Sequence, residues 1–312
     1  MSDRRYYVLL NEKSGTAHAL GVTREALSDL FSSNGIHATI DADCSRSMNA
    51  RVADALASDA HVIVAAGGDG TVTALAGALV GGDKDLAILP LGTFNAVAKD
   101  LHLPLDLPAA VAALAHGNRQ LIDVAEVNGR IFMQKVVIGL IPGLAAGREL
   151  IRGQESLAAK LAFIRHIFRR LARARRMAVI LDSGEGARRI ERVQSLAVAC
   201  DSYDEGLGKF FSRQDLNQGT LTLYLLHHFT AGDFFRLLIG MLMGRWRDDE
   251  ALSMQSVREV TIDVKKRAIN VMIDGEVEMF ETPLNFRILP QALSVLVPAR
   301  ESEELEVTEA SA

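Results

Sequence analysis

Cysteine is scarce in this chain of 312 residues. Only Cys44 and Cys200 are present, which excludes a disulfide framework and a cysteine-rich zinc site. This scarcity fits a reducing compartment, so we expect a cytoplasmic protein.

Long apolar runs are also missing. The longest uncharged apolar stretch, Val136 to Gly147, contains Pro142 and Gly143 and is too short to cross a bilayer. The five-residue apolar run near the N-terminus is too short for a signal peptide.

Positive charge does not predominate either. The chain has 34 Lys and Arg against 39 Asp and Glu, a net charge of −5. This balance argues against a nucleic-acid-binding protein, because phosphate contacts need a basic surface. The hydrophobic fraction of 49% and the charged fraction of 23% are typical of a folded protein. The length is comfortable for two domains.

The first third of the chain alternates short apolar runs with helical patterns. Alternation of this kind predicts a doubly wound α/β domain with a parallel sheet, which we place at residues 1–125. The predicted strands are Tyr6–Leu10, Ile36–Ile40, Val62–Ala66 and Leu86–Leu89, and the predicted helices are Ala17–Phe31, Met48–Ser58, 71–80, 95–101 and Pro108–Ala115.

The pattern changes after Asp123, where strands follow one another with few helices between them. This change predicts an antiparallel β domain over residues 126–300 and an acidic, frayed tail over residues 301–312. Helical patterns at Leu157–Arg176 and Ala231–Trp246 interrupt the domain. The predicted strands are Val124–Val127, Ile131–Val137, Met177–Leu181, Val193–Cys200, Leu221–Leu225, Val257–Val264, Ala268–Ile273 and Val277–Phe280.

The most informative segment is a glycine loop at the end of the third predicted strand. Gly67, Gly68 and Gly70 surround Asp69, and Thr71 opens the next helix. Glycines let the backbone approach a ligand and direct N–H groups at it, and the helix N-terminus favours an anion such as phosphate. The loop is not a Walker motif, because no Lys-Ser or Lys-Thr pair follows, nor a complete dinucleotide fingerprint.

Asp69 is unexpected in a loop that attracts anions. Its carboxylate makes sense if a magnesium ion lies between it and the phosphate, or if it acts on a proton. The simpler interpretation is that Asp69 caps a helix and the glycines only form a turn. Both interpretations stay open at this point.

Two further loops repeat the construction of a strand, a polar loop and a helix. One follows Tyr6–Leu10 and contains Asn11 and Ser14, and the other follows Leu86–Leu89 and contains Gly92, Thr93 and Asn95. Carboxyl ends of parallel strands meet at one edge of a sheet, where α/β proteins bind ligands. Three polar loops at one edge suggest a nucleotide site.

With these loops in view, the sequence resembles the diacylglycerol kinase catalytic-domain family, in its bacterial soluble lipid kinase branch. Sphingosine and ceramide kinases are relatives, and NAD kinases are more remote ones. The segments 11–15, 67–71 and 89–95 are similar to the family motifs Asn-x-x-Ser-Gly, Gly-Gly-Asp-Gly-Thr and Pro-x-Gly-Thr-x-Asn. Near the C-terminus, Asp274, Gly275 and Glu276 match its Asp-Gly-Glu motif. Without the resemblance, this last segment is only a hairpin turn.

The resemblance implies an α/β nucleotide domain, a β-sandwich domain for the lipid acceptor, and an active site in the cleft. It also implies ATP and Mg²⁺ as cofactors. Asp274 would accept the proton of a lipid hydroxyl, and Asp69 would hold magnesium and help to place the γ-phosphate. The remaining implied residues contact the nucleotide, with Glu276 orienting it: Asn11, Ser14, Gly67, Gly68, Gly70, Thr71, Gly92, Thr93 and Asn95.

The sequence departs from the family pattern at two positions. Ala96 stands where members often carry an aspartate after the asparagine. Asp215 matches the first of two aspartates that hold a second, structural magnesium in some members, but Gln218 stands where the other would be. A neutral amide is a weaker ligand for a hard cation than a carboxylate.

A basic amphipathic helix is predicted within Leu157–Arg176, because residues 165–176 carry six arginines and no acid. Such a helix can bind anionic lipid, which suggests a peripheral protein at the inner membrane surface. The alternatives are a solvated helix and a contact within a homodimer. The segment Ala231–Trp246 is interpreted as core packing or as a lid over a lipid pocket.

The function that we expect is transfer of the γ-phosphate of ATP to a hydroxyl of diacylglycerol or a related lipid. One alternative is a kinase of a soluble acceptor, like the NAD kinases. The other is a non-catalytic protein that binds nucleotide or lipid, as Ala96 and Gln218 would allow.

Overall fold

The computed structural model describes residues 4–139, 176–184, 188–204, 215–227 and 249–299, together with residues 213, 230, 232, 233, 236, 239, 240 and 243. These residues form two compact units. The first unit contains the described residues up to Gln120 and from Ser294 onward, and the second contains those from Leu121 to Leu293.

The first unit is built on a parallel sheet, as the alternating pattern predicts. Its strands lie in the order β2-β1-β3-β4, and Val295 of the last strand pairs in parallel with Leu86 of β4. β3 and β4 are buried along their whole length, which explains why their sequences are continuous apolar runs. The strands are β1 (Tyr6–Leu10), β2 (Ala38–Asp41), β3 (Val62–Gly67) and β4 (Asp85–Pro90).

Helices connect these strands, and side chains cap several of them. The hydroxyls of Thr23 and Ser47 and the carboxylate of Asp106 each accept a main-chain N–H in the first turn of a helix. The helices are α1 (Gly15–Leu20), α2 (Arg24–Ser33), α3 (Met48–Ala57), α4 (Asp69–Leu79), α5 (Ala96–Asp100) and α6 (Leu107–Ala115).

The prediction of one helix over Ala17–Phe31 is wrong, because the structure has two helices there. α1 ends at Gly21, which adopts the left-handed conformation with φ +60°. Thr23 then begins α2, since its hydroxyl accepts the N–H of Ala26. Glycine takes this conformation without steric cost, so it ends a helix readily.

The second unit consists of two sheets dominated by antiparallel pairs. One has the order β12-β11-β10-β7-β14-β15, and the other contains β16, β13, β8 and β9 in that order, with β5 and β6 beside β16. The strands are β5 (Asn118–Val127), β6 (Arg130–Phe132), β7 (Lys135–Gly139), β8 (Met177–Asp182), β9 (Arg189–Val193), β10 (Ser195–Cys200), β11 (Leu221–Leu226), β12 (Leu252–Val257), β13 (Glu259–Val264), β14 (Ala268–Ile273), β15 (Glu276–Glu281) and β16 (Leu284–Val297). The chain passes from one unit to the other within β5 and again within β16.

The core of the second unit is formed by alternate side chains of both sheets. Val136 and Ile138 of β7, for example, belong to the same buried cluster as Val179 of β8. The rings of Phe132 and Phe286 meet edge to face, with centroids 6.2 Å apart. Burial of alternate residues is the pattern of two sheets packed face to face. The predicted class, an α/β unit followed by an antiparallel β unit, is confirmed.

The sequence patterns miss some strands and merge others. β9, β12 and most of β16 have few buried side chains or contain a proline, so their apolar patterns are weak. The predicted strand Ile131–Val137 is two strands, β6 and β7, with a turn at Met133 and Gln134. The predicted helix Leu157–Arg176, most of the predicted helix Ala231–Trp246 and the acidic tail lie outside the described residues.

A buried ion pair joins the carboxyl ends of β1 and β2. Arg51 of α3 is 2% exposed, and its Nε lies 2.9 Å from Asp41 Oδ2. Its Nη2 also donates to the carbonyls of Leu10 and Asp41, at 2.8 and 2.6 Å. The guanidinium therefore fixes the end of β1 from which the first polar loop departs.

Removal of the Arg51 side chain leaves a buried carboxylate without its counter-ion. We expect Arg51→Met to lower the free energy of unfolding by about 3–5 kcal/mol, measured by urea denaturation. The matched control is Arg46→Met, which breaks the exposed Arg46–Asp54 pair and should cost at most about 1 kcal/mol. Equal losses in the two variants would contradict a structural role for the buried pair.

Candidate active site

Three polar loops lie at the carboxyl edge of the parallel sheet in the first unit. They follow β1, β3 and β4, and hydrogen bonds connect them. The amide of Asn11 donates to the carbonyl of Ala66, and the Asn11 side chain donates to Thr71 Oγ1 at 3.3 Å. The hydroxyl of Ser14 donates to the carbonyl of Leu91 at 3.0 Å. The structure therefore brings the predicted loops together.

Two glycines allow the loops after β3 and β4 to touch. A Cβ added to Gly92 would lie 2.6 Å from the Cα of Gly68 and 2.8 Å from Asn95 Oδ1. A Cβ added to Gly67 would lie 2.6 Å from Thr71 Oγ1. Real Cβ atoms essentially never come this close to other heavy atoms. Glycine is therefore required at position 92 by the backbone of the neighbouring loop and at position 67 by the side chain of Thr71.

Asn95 closes the loop after β4. Its backbone is left-handed, with φ +49°, a conformation that asparagine tolerates better than most residues. Its Oδ1 accepts the N–H of Gly92 at 2.8 Å, and its Nδ2 donates to the carbonyls of Gly92 and Pro90 at 2.9 and 3.2 Å. The Asn95 side chain therefore stabilises the conformation of the loop in which it lies.

The Asp69 carboxylate caps a neighbouring helix. Its Oδ2 accepts the N–H of Asn95 at 3.1 Å, and its Oδ1 accepts the N–H of Ala96 at 2.8 Å. Ala96 is the first residue of α5, so Asp69, although it begins α4, satisfies the N-terminus of α5. Asp69 therefore acts as a helix cap, but for a different helix from its own, and this contact does not decide between the two interpretations of its carboxylate.

A magnesium ion is compatible with this arrangement. Each oxygen of an ionised carboxylate has more than one acceptor site, so the main-chain N–H that each oxygen of Asp69 accepts leaves room for a further contact. Asp69 is partly exposed, as Mg²⁺ requires if it keeps several of its waters. The residues Gly70 and Thr93 are exposed beside it. Asp69 would be the protein ligand of such an ion.

In the second unit, Asp274 lies in the turn between β14 and β15, and its carboxylate binds main-chain N–H groups of the turn between β6 and β7. Its Oδ2 accepts the N–H of Met133 at 2.8 Å, and its Oδ1 accepts those of Gln134 and Lys135 at 2.9 and 3.0 Å. Burial raises the pKa of Asp274 above its ordinary value, while these three hydrogen bonds act in the opposite direction. Glu276, two residues later, is exposed.

Further charged groups surround Cys200 in the same unit. Asp123 accepts the N–H of Gly219 at 2.6 Å and that of Gln291 at 2.8 Å. Arg213 is 3% exposed and Asp201 is completely buried. Sequence reasoning missed all three as members of a polar cluster, since none lies in a motif. Cys200 is itself buried, and burial raises the pKa of its thiol.

The predicted second metal site has few ligands in the structure. Asp215 Oδ1 accepts the N–H of Asn217, and Gln218 Oε1 accepts the hydroxyl of Ser202 at 2.8 Å. Within the described part of the chain, no three His, Cys, Asp or Glu side chains lie close enough together to hold a metal ion. In the same part, no helix is long and apolar enough to span a membrane.

Comparison with protein families gives two matches that together cover most of the chain. Residues 5–127 match the diacylglycerol kinase catalytic domain, and residues 145–297 match the YegS C-terminal NAD kinase beta sandwich-like domain. Residues 5–127 therefore belong to the diacylglycerol kinase catalytic-domain family, and residues 145–297 are similar to the C-terminal domain found in YegS. The first match contains the three connected loops, and the second contains Asp274.

Individual relatives agree with this family. A Pseudomonas aeruginosa protein named "Probable lipid kinase YegS-like" is 44% identical over 90 residues, 28% of this chain and 30% of that protein. The match thus spans less than a third of the relative. A diacylglycerol kinase of Bacillus subtilis is 24% identical over 78% of this chain and 80% of its own length. A crystal structure of a Bacillus anthracis diacylglycerol kinase has the same fold, with TM-score 0.67 and 18% identity over 96% of this chain and 99% of that one.

Gly92 offers a direct test of the loop contact in this diacylglycerol kinase-type domain. Gly92→Ala forces the two loops apart, so we expect the free energy of unfolding to fall by about 1–3 kcal/mol in urea denaturation. The control is Gly117→Ala in the same unit, where the nearest atom to the added Cβ is 3.4 Å away, an ordinary contact. A Gly92→Ala variant as stable as the control would show that the loops do not depend on this approach.

Asp201 makes the stability of the protein depend on pH. Its Oδ1 is buried with no hydrogen-bond partner in the part of the chain that the structure describes. Burial first, and the Asp123 carboxylate next, raise the pKa of Asp201 to about 7, while Arg213 opposes them. The folded state therefore binds more protons than the unfolded state between about pH 4 and pH 7, so stability falls as the pH rises through that window.

The variant Asp201→Asn cannot ionise, and asparagine tolerates the φ of +61° at this position. We expect its free energy of unfolding to equal that of the wild type at about pH 4 and to exceed it by about 1–3 kcal/mol at about pH 8, as measured by urea denaturation at each pH. Asp263→Asn, on β13 beside Arg188, is the control and should leave the pH dependence unchanged. A wild type and an Asp201→Asn variant with the same pH dependence would contradict this account.

Proposed function

We propose that this protein is an ATP-dependent lipid kinase that transfers the γ-phosphate of ATP to a hydroxyl of diacylglycerol or a related lipid. The observation that carries the proposal is the joining of the three motif loops at one sheet edge, in a chain of the diacylglycerol kinase catalytic-domain family. Membership of a kinase family supports phosphotransfer. We add to this the use of ATP as the phosphate donor, a lipid as the acceptor, and the roles of individual residues.

In this proposal the phosphates of ATP contact the glycine loop after β3. The N-terminus of α4 begins there, and the first N–H groups of a helix precede any carbonyl that could accept them within it. The N–H of Thr71 donates to the carbonyl of Gly68 at 2.9 Å, so the N–H groups of Asp69 and Gly70 are the ones proposed to bind phosphate. The helix dipole adds a positive potential at the same place. Exposed Gly70 and Thr93 are open to a ligand, whereas Asn11 and Thr71 stabilise the loop by their hydrogen bond.

Magnesium, when bound through Asp69, would neutralise phosphate charge during transfer. Asp69 also fixes α5 through the N–H groups of Asn95 and Ala96. A change at Asp69 would therefore act on both the ligand and the loop. Asp215 would belong to a second metal site only if further ligands joined it.

Asp274 is proposed as the proton acceptor. The lipid hydroxyl oxygen bonds to the γ-phosphorus, the bond from that phosphorus to the β–γ bridging oxygen breaks, ADP leaves, and the hydroxyl proton passes to the Asp274 carboxylate. The three main-chain N–H groups hold the carboxylate in one orientation. Phosphoryl transfer depends on positioning more than on strong basicity, so a fixed and ionised carboxylate is suited to this task.

A lipid acceptor is supported by the printed names of the relatives, which include lipid kinases and diacylglycerol kinases. Such an acceptor requires the protein to visit a membrane surface, where we place it as a peripheral enzyme on the cytoplasmic side. The basic helix predicted from residues 165–176 would serve that contact or a homodimer.

The test is phosphorylation of a lipid panel by the purified protein with γ-labelled ATP and Mg²⁺. Diacylglycerol, monoacylglycerol, ceramide and sphingosine are presented in mixed vesicles, with NAD as a soluble acceptor. We expect labelled lipid from the wild type. Asp274→Asn should lower kcat by on the order of 10²–10⁴-fold and keep ATP affinity, because its amide cannot take up the proton. Its Nδ2 also cannot accept a main-chain N–H as a carboxylate oxygen does, so the fold of this variant is measured beside its kcat.

Asp263→Asn is again the matched control, and it should keep wild-type kcat. Thermal unfolding of each variant separates a lost catalytic group from a lost fold. Labelled NADP without labelled lipid would favour a kinase of a soluble acceptor. ATP binding without transfer to any acceptor would favour a non-catalytic regulator, and either result would overturn the proposal.

A further inference from the structure

We propose that Arg213 is a positioning residue for Asp274, because it clamps the turn whose main-chain amides bind that carboxylate. The inference rests on the proposed function, in which Asp274 accepts the proton of the lipid hydroxyl. All the groups involved belong to the second unit.

Arg213 binds the turn between β6 and β7 from the side opposite Asp274. Its Nη1 donates to the carbonyl of Met133 at 2.7 Å and to that of Cys200 at 2.9 Å. The Met133 carbonyl and the Gln134 N–H belong to one peptide group, and that N–H donates to Asp274 Oδ1. One peptide group is therefore held by a guanidinium at one end and a carboxylate at the other.

The next peptide group is held in the same way. The carbonyl of Gln134 accepts the N–H of Cys200 at 2.9 Å, and the N–H of Lys135 donates to Asp274. The carbonyl of Lys135 in turn accepts the N–H of Asp274 at 3.0 Å. Rotation of either peptide group would break a hydrogen bond on both sides, so the turn has little freedom.

The positive charge of Arg213 also affects the hydrogen bonds that bind Asp274. A cation at a carbonyl oxygen polarises the peptide group and strengthens the N–H at its other end as a donor. That donor is the one that binds Asp274. Arg213 also acts on the carboxylate directly, because its charge lowers the pKa of Asp274 against the effect of burial. Both effects favour the ionised form of the carboxylate, and the hydrogen bonds fix its orientation.

Arginine is suited to this position and lysine only in part. The planar guanidinium can direct several N–H groups at fixed angles, and here one nitrogen serves two carbonyls. A lysine keeps the charge but is a compact donor on a flexible chain. A glutamine keeps hydrogen-bonding capacity and loses the charge. These two substitutions therefore separate the geometric contribution from the electrostatic one.

The test compares Arg213→Lys and Arg213→Gln with wild-type protein in steady-state lipid phosphorylation. We expect Arg213→Gln to lower kcat by about 10²-fold, as a misplaced catalytic group does, with KM for ATP nearly unchanged. Arg213→Lys should recover part of that loss. A second readout without catalysis is amide hydrogen exchange of the segment that contains Met133, Gln134 and Lys135, which should become faster in both variants.

Two controls separate positioning from simple loss of stability. Val198→Ala removes buried methyl groups from the core of the same unit and should lower the unfolding temperature. Its kcat should equal that of the wild type when activity is assayed well below the unfolding temperature. Arg287→Gln removes an exposed arginine of the same unit, paired with Glu126, and should change neither readout.

The proposal is overturned if Arg213→Gln retains kcat, or if Val198→Ala loses as much kcat as Arg213→Gln does. It is also overturned if exchange of the turn amides does not change in a folded Arg213 variant. Should Arg213→Gln fail to fold, Arg213→Lys decides by the same two readouts. A wild type that phosphorylates no lipid defeats the proposed function instead, and the exchange measurement still decides whether Arg213 clamps the turn.

Discussion

The approach of two backbones, at Gly68 and Gly92, is the constraint on which the first unit's candidate site depends. A Cβ at position 92 would lie 2.6 Å from the Cα of Gly68, so only glycine at position 92 lets the loops after β3 and β4 come this close. The contact places Asp69 where its carboxylate meets the first N–H groups of α5, and Asn95 then closes the second loop on itself. One steric requirement thus determines the arrangement of two loops and the start of a helix.

Both carboxylates that the motifs single out are held by main-chain N–H groups. Asp69 accepts two and Asp274 accepts three. Such contacts stabilise the ionised form and fix its direction. The same contacts have a structural effect, since they cap α5 at Asp69 and order the turn between β6 and β7 at Asp274. In the proposed reaction a fixed, ionised carboxylate serves both purposes, since phosphoryl transfer relies on orientation and charge.

The sequence patterns predict the parallel sheet well because β3 and β4 are buried on both faces and appear as apolar runs followed by loops that contain glycine. They fail where the determining contact is distant in sequence. Nothing local indicates that Asp69 caps α5, 27 residues away, or that Arg213 binds Met133, 80 residues away. The motif positions Asn11, Thr71 and Asn95 are found from sequence, whereas the buried partners Asp123, Asp201 and Arg213 carry no pattern that would reveal them.

The central claim is that main-chain N–H groups of the glycine loop hold the phosphates of ATP. It is tested most directly by titrating ¹⁵N-labelled protein with ATP and Mg²⁺ and following the amide resonances. The account predicts large, saturable shifts at Gly68, Asp69, Gly70 and Thr93, with the same affinity as ATP binding measured by calorimetry. Saturable ATP binding that leaves these four amides unchanged would contradict it.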